Sequence, residues 1–111
     1  MNYHAVRITR QAETQIREIA WYISVELRNP IAADNLMDDF KTEISRLGSR
    51  PERYPLVDEE PWRSKKFRWT KVKNYLIYFW IDREMAAVHV IGVVYQGREQ
   101  RDFLSNVDED R

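Results

Sequence analysis

Hydrophobic and polar positions along this chain change period twice, and the changes divide it into elements. Tyr3 to Ile8 alternates loosely, with Val6 and Ile8 on one face, which predicts a short first strand. Thr9 can then cap a helix. Its apolar residues fall at Ala12, Ile16, Ile19, Ala20, Ile23 and Leu27. Steps of three and four put them on one helical face. Trp21 and Val25 lie on roughly the opposite face, with Tyr22 on its flank. Either a loop or the C-terminal segment covers them, or they form a partner-binding surface.

Asn29-Pro30 has the form of an N-cap followed by proline at the first helical position. The second helix carries Ala33, Leu36, Met37, Phe40, Ile44 and Leu47 on one stripe, and Gly48 is placed to end it in the left-handed conformation. Few residues separate the two helices, so an antiparallel hairpin is expected. Asp34, Asp38, Asp39 and Glu43 make its outer side acidic, which reads as a solvated face. From Ser49 to Pro61, Pro51, Pro55 and Pro61 point to an extended, irregular connection.

Alternation returns at Phe67-Arg68-Trp69-Thr70, predicting a strand with Arg68 and Thr70 on one side and Phe67, Trp69 and Lys71 on the other. Tyr75 to Ile81 is a continuous apolar run of strand length, the pattern of a central strand. Asp82-Arg83-Glu84 makes a hairpin turn, and Ala87 to Tyr95 is the next strand. Gly97 breaks it, Arg98 to Leu104 is expected to form one or two helical turns, and residues 105–111 to be a frayed polar tail. The expected architecture is an α+β domain spanning 1–111. An antiparallel sheet, made of the N-terminal strand plus three C-terminal strands, packs on an N-terminal helical hairpin, with a short C-terminal helix.

Composition narrows the class. With 111 residues, 43% hydrophobic and 13% aromatic, the chain can build one core, and disorder is a poor description. There is no cysteine, which excludes disulfides, thiolate metal sites and a cysteine nucleophile. No apolar segment has the length of a membrane span or the form of a signal peptide, so a cytoplasmic location is the expectation. The formal net charge is zero, yet Arg63 to Lys73 holds six cations and no acid. Positive charge has been concentrated there, against strands that must be buried.

That run suits three partners. Cations beside aromatic rings fit RNA, whose bases stack while phosphates meet charge. They equally fit an acidic protein segment, and lysines on an edge strand also guard against sheet-to-sheet aggregation. Phosphodiester cleavage would need a base, an acid and cations, and Lys65, Lys66, Arg68, Arg98, Tyr75 and Tyr95 are residue types available for it. Neither His4 nor His89 has an acidic or histidine partner in a motif, and the scattered carboxylates match no metal-ligand spacing. Three well-separated glycines make no phosphate loop. No cofactor or metal is expected.

Together these segments resemble the toxins of the RelE/ParE superfamily, the toxic half of bacterial type II toxin–antitoxin pairs. The resemblance rests on Thr9 with Ala12, Ile19-Ala20-Trp21-Tyr22-Ile23, Asn29-Pro30 with Ala32-Ala33, and Leu47 with Pro51 and Tyr54-Pro55. It continues through Val72-Lys73-Asn74-Tyr75-Leu76-Ile77-Tyr78-Phe79 and Val93-Val94-Tyr95-Gln96-Gly97-Arg98, covering about Tyr3 to Leu104. RelE-type members cut mRNA in the ribosomal A site with a set of Arg, Lys and Tyr. ParE-type members lack that set and poison DNA gyrase. In the ribonuclease branch an arginine follows the tyrosine of the Asn74-Tyr75 region, where this chain has Leu76. A second arginine is expected after the last strand's glycine, where Arg98 or Arg101 could serve, and a C-terminal tyrosine is missing after Tyr95.

The resemblance therefore implies a ParE-type plasmid-stabilisation toxin that inhibits gyrase by binding, has no catalytic residue, and is neutralised by a cognate antitoxin that folds along it. Candidate partner-binding residues are Trp21, Val25, Lys65, Lys66, Arg68, Lys71, Lys73 and Arg98, with the sheet edge as a further docking surface. The alternative is a ribosome-dependent endoribonuclease using Arg68, Lys71, Tyr95 and Arg98, with ribosome and mRNA as partners. A third possibility is a non-toxic member that only binds its partner.

Overall fold

A computed structural model of the protein describes residues 3–96. The expected short C-terminal helix, the frayed tail and Arg98 lie outside the described residues. Strand β1 (Ala5–Ile8) leads into helix α1 (Arg10–Trp21), a π-helical turn (Tyr22–Glu26) and helix α2 (Pro30–Arg46). A 3-10 turn (Pro51–Arg53) opens the long connection to β2 (Arg68–Val72), β3 (Tyr75–Asp82) and β4 (Ala87–Tyr95). Both helix starts are as the sequence predicts. Thr9 Oγ1 accepts from the Ala12 N–H at 3.2 Å, and Asn29 Oδ1 accepts from the Ala32 N–H at 3.1 Å. Proline stands at the start of α2, where its missing N–H costs nothing.

The sheet order is β1-β4-β3-β2. β2, β3 and β4 are antiparallel neighbours, but β1 runs parallel to β4, so the sheet is mixed rather than antiparallel. Tight turns force antiparallel pairing, and β1 has no tight turn to any strand. It reaches β4 only after the whole helical hairpin and two strands have intervened.

One face of the sheet packs on the helices: Ile77, Phe79, Val88, Val90 and Val93 meet Ala12, Leu36, Phe40, Ile44 and Leu47. The other face is also covered. Val57, Trp62 and Phe67 from the long connection pack on Tyr78 and Ile91. That is why β3 reads as an unbroken apolar run. Burial against this cover pushes the Tyr78 hydroxyl up to about 12, with Glu59 adding to the shift. Tyr78 faces Gly92 and Phe79 faces Val90, so Ile91 is an extra residue in β4. The bulge keeps Ile91 on the covered face and returns Val93 to the helix face.

Two expected details differ. Leu27 is not on the core face of the first helix but 55% exposed. The π-helical turn, closed by Leu27 N–H donating to Tyr22 O at 3.0 Å, takes up one more residue than an α-turn and rotates Leu27 outward. Gly48 does not adopt the left-handed conformation. It is required because a Cβ there would lie 2.7 Å from the His4 carbonyl oxygen. The left-handed residue of that turn is Arg50, with φ of 47°.

Candidate partner-binding surfaces

The exposed apolar surface gathers at the tip of the helical hairpin. Trp21, Tyr22 and Val25 come from the end of α1 and its π turn, Leu27 from the connection, and Ile31 from the first turn of α2. Trp21 is 54% exposed, as the helical periodicity leaves it. Leu27 joins the patch through the π turn, a backbone event with no signal in the hydrophobic pattern. The left-handed Arg28 and the Asn29 N–H, which donates to Ile23 O at 3.0 Å, close the tip. Large apolar groups left exposed in this number make the tip a candidate protein-binding surface.

The basic run does not form one patch. Arg63 pairs with Asp58 at 3.6 Å, and Lys73 with Asp39 of α2 at 3.3 Å. Arg68 turns into the fold. Its Nη1 donates to Tyr54 O at 2.6 Å and Glu52 O at 3.2 Å, tying β2 to the 3-10 turn. Burial holds this guanidinium below its ordinary pKa while Glu52 opposes the shift. Lys65, Lys66 and Lys71 are exposed, and among the described residues Lys66 and Lys71 form no ion pair.

Of the nuclease candidates, the three among the described residues, Arg68, Lys71 and Tyr95, are not brought to one point. Arg68 and Tyr95 both belong to the helix face, but Arg68 lies opposite Phe79 whereas Tyr95 lies opposite Tyr75, four residues away, roughly 13 Å along the strand. Tyr95 is 47% exposed, with its ring edge-on to Tyr75 at 5.4 Å. Lys71 belongs to the other face, in one cross-strand row with Leu76 and Val94. Both of these are partly buried and pack beside Trp69 on the covered cluster. The row is therefore apolar with a single cation at its rim.

Both sheet edges are accessible in part. On β2, Val57 N–H donates to Phe67 O at 2.8 Å and Trp69 N–H to Pro55 O at 3.1 Å, which covers the strand up to Trp69 and leaves Lys71 beyond. On β1, Ala5 and Thr9 donate to Ala86 O and Val90 O at 3.0 Å each, so Val6 and Ile8 turn their backbone groups outward.

Sequence reasoning missed two polar contacts. His89 does have an acidic partner: its Nε2 lies 3.2 Å from Asp82 Oδ2, and its ring stacks on Trp80 with centroids 4.8 Å apart. Only the hairpin register, Trp80 opposite His89, brings them together. The acidic side of α2 is also not wholly solvated. Asp39 meets Lys73, and Glu43 Oε2 accepts from the Thr70 hydroxyl at 2.7 Å. Among the described residues no cluster of His, Cys, Asp or Glu could hold a metal ion, and no helix is long and apolar enough to cross a membrane.

A helical hairpin laid on this four-stranded sheet is the fold of the RelE/ParE superfamily of type II toxins. The structure is similar to the chromosomal ParDE system from P. aeruginosa, with a TM-score of 0.70, 14% identity, and coverage of 86% of this chain and 99% of that one. It is similar to the RelBE2 toxin–antitoxin complex from Mycobacterium tuberculosis, at TM-score 0.60 and 16% identity over 86% and 94% of the chains. For the isolated E. coli RelE toxin the values are 0.52 and 16%, over 92% and 94%. No curated protein sequence matches. Residues 6–100 match the family described as the ParE toxin of type II toxin–antitoxin system, parDE, and the chain belongs to that family.

Proposed function

We propose that this toxin acts by binding, inhibiting DNA gyrase, and is neutralised by a cognate antitoxin. The observation that carries the reading is the row Lys71–Leu76–Val94. Leu76 takes the position where the ribonuclease branch places an arginine, and it packs into an apolar shelf rather than presenting charge. Arg68, the other cation at hand, is committed to two backbone carbonyls. Phosphodiester cleavage needs cations converging on one developing charge, and among the described residues the candidate cations are dispersed. Membership of the ParE family supports the same reading.

The solved ParDE and RelBE2 relatives are toxin–antitoxin systems, which supports an antitoxin as partner here. The tip around Trp21 and Val25 and the open edge of β1 suit a segment that folds on binding: apolar anchors for the first, main-chain pairing for the second. Purified toxin added to a gyrase supercoiling reaction, and in parallel to a translation extract with labelled mRNA, tests the proposal. Lost supercoiling with intact mRNA is expected. Codon-specific cleavage with normal supercoiling would replace it with the ribonuclease reading.

A further inference from the structure

We infer that the hairpin tip is an acid-rimmed docking surface for a cationic segment of the antitoxin, one that sets lysines or arginines beside its apolar anchors. The inference rests on the reading that the antitoxin docks at this tip, and it adds the chemistry of what docks there. Trp21, Tyr22, Val25, Leu27 and Ile31 supply the apolar ground. From Glu18 to Asp38 the chain holds four acids, Glu18, Glu26, Asp34 and Asp38, and a single cation, Arg28. All of these charged residues are exposed. None of the four carboxylates forms an ion pair among the described residues.

Helical spacing places these charges around the apolar residues rather than away from them. Glu18 stands three and four positions before Trp21 and Tyr22, one turn from both. Asp34 stands three after Ile31, and Asp38 one turn further on. Glu26 closes the π-helical turn between Val25 and Leu27. The cation just upstream, Arg17, is already matched by Glu13 at 3.7 Å. Asp39, the next acid along α2, shows the contrast: it is partly buried and answered by Lys73 at 3.3 Å. The fold answers that carboxylate and leaves the four at the tip to an outside partner.

The rim decides between the candidate occupants. A second copy of the chain would meet this patch with the same patch, setting four carboxylates against four with only Arg28 to offset them. Anionic surfaces, whether lipid headgroups or a nucleic-acid backbone, meet the same repulsion. What remains is a protein segment of opposite charge whose apolar side covers Trp21 and Val25.

The test follows association of the full chain with the purified full-length antitoxin by stopped-flow fluorescence, at about 50 and about 500 mM salt. The parent should associate about tenfold more slowly at the higher salt. Glu18→Gln, Glu26→Gln, Asp34→Asn and Asp38→Asn combined should slow association at low salt about tenfold and remove most of its salt dependence. The thermal melt should not move, because all four side chains are exposed. Arg28→Gln, which deletes the one offsetting cation, should speed association. A four-acid variant that associates as fast as the parent, or faster, would overturn the inference. Trp21→Ala then separates the two readings. If it still raises the dissociation rate, the antitoxin docks at the tip and only the cationic chemistry is lost. If it changes nothing, the tip is not the docking site and the inference falls with it. Absence of any complex would remove the antitoxin reading itself, and the inference along with it.

Discussion

Thr70 donates its hydroxyl to Glu43 Oε2 at 2.7 Å, joining the middle of β2 to the last turns of α2. Glu43 also lies 3.8 Å from Arg46, and its charge raises the pKa of Tyr54 above the usual value, second to the effect of burial there. One carboxylate thus serves a strand, a helix and the connecting turn. Thr70→Val should cost about 1–2 kcal/mol, because a partly buried acceptor loses its donor while the shape is kept. The urea midpoint reads this directly. Glu43→Gln should lower the Tyr54 pKa only part of the way, since burial remains, and an ultraviolet pH titration against Tyr54→Phe would show it.

Gly48 and Arg50 make a paired prediction about the end of α2. Gly48→Ala puts a methyl 2.7 Å from a backbone oxygen that cannot move aside cheaply. We expect a loss of about 1–3 kcal/mol, visible in thermal melts. Arg50→Gly should lose nothing, because it relieves a left-handed φ. A Gly48→Ala variant as stable as the parent would show that the close approach to the His4 carbonyl is not what requires glycine.

Acid should loosen the β3–β4 turn. The Met85 N–H, donating to Asp82 Oδ1 at 3.1 Å, and then His89 hold the Asp82 carboxyl below its ordinary pKa. Glu52 is likewise lowered, by a backbone hydrogen bond first and then by Arg83. Folding depresses both values, so the unfolded chain takes up protons first as pH falls. The stability they contribute is complete above the ordinary carboxylate range and declines as pH drops through that range toward the folded pKa. Asp82→Asn should make the fall of the urea midpoint below about pH 5 shallower.

Trp21→Ala should separate stability from binding. The side chain is more than half exposed, so the melting temperature should hardly move. Affinity for the antitoxin, measured by calorimetry, should fall by about 2 kcal/mol or more if the hairpin tip is an anchor. Unchanged affinity would move the docking site elsewhere, to the sheet edge first.

Much of the fold was legible in the chain because local signals and tertiary contacts agree. Thr9, Asn29 and Pro30 announce their helices, and the runs 75–81 and 87–95 announce a buried hairpin. What escaped depends on long-range geometry. The parallel placement of β1 leaves no mark in its own residues. Leu27 obeys the helical period in sequence and breaks it in space because of one extra residue in a turn. Of the site, the apolar side containing Trp21 was visible as periodicity. The basic run misled, because a cation's role depends on what lies across from it: Asp58 for Arg63, Asp39 for Lys73, two carbonyls for Arg68.

The pairing of β1 with β4 bears on when the chain can become itself. Among the described strands, the first finds its hydrogen-bonding partner only in the fourth. Such distant closure is slow and must await the synthesis of β4. A half-made chain on the ribosome therefore has no completed sheet, and with it no finished edge and no finished toxin. Activity would arrive late and all at once, which gives a bacterium an interval in which the neutralising partner can already be waiting.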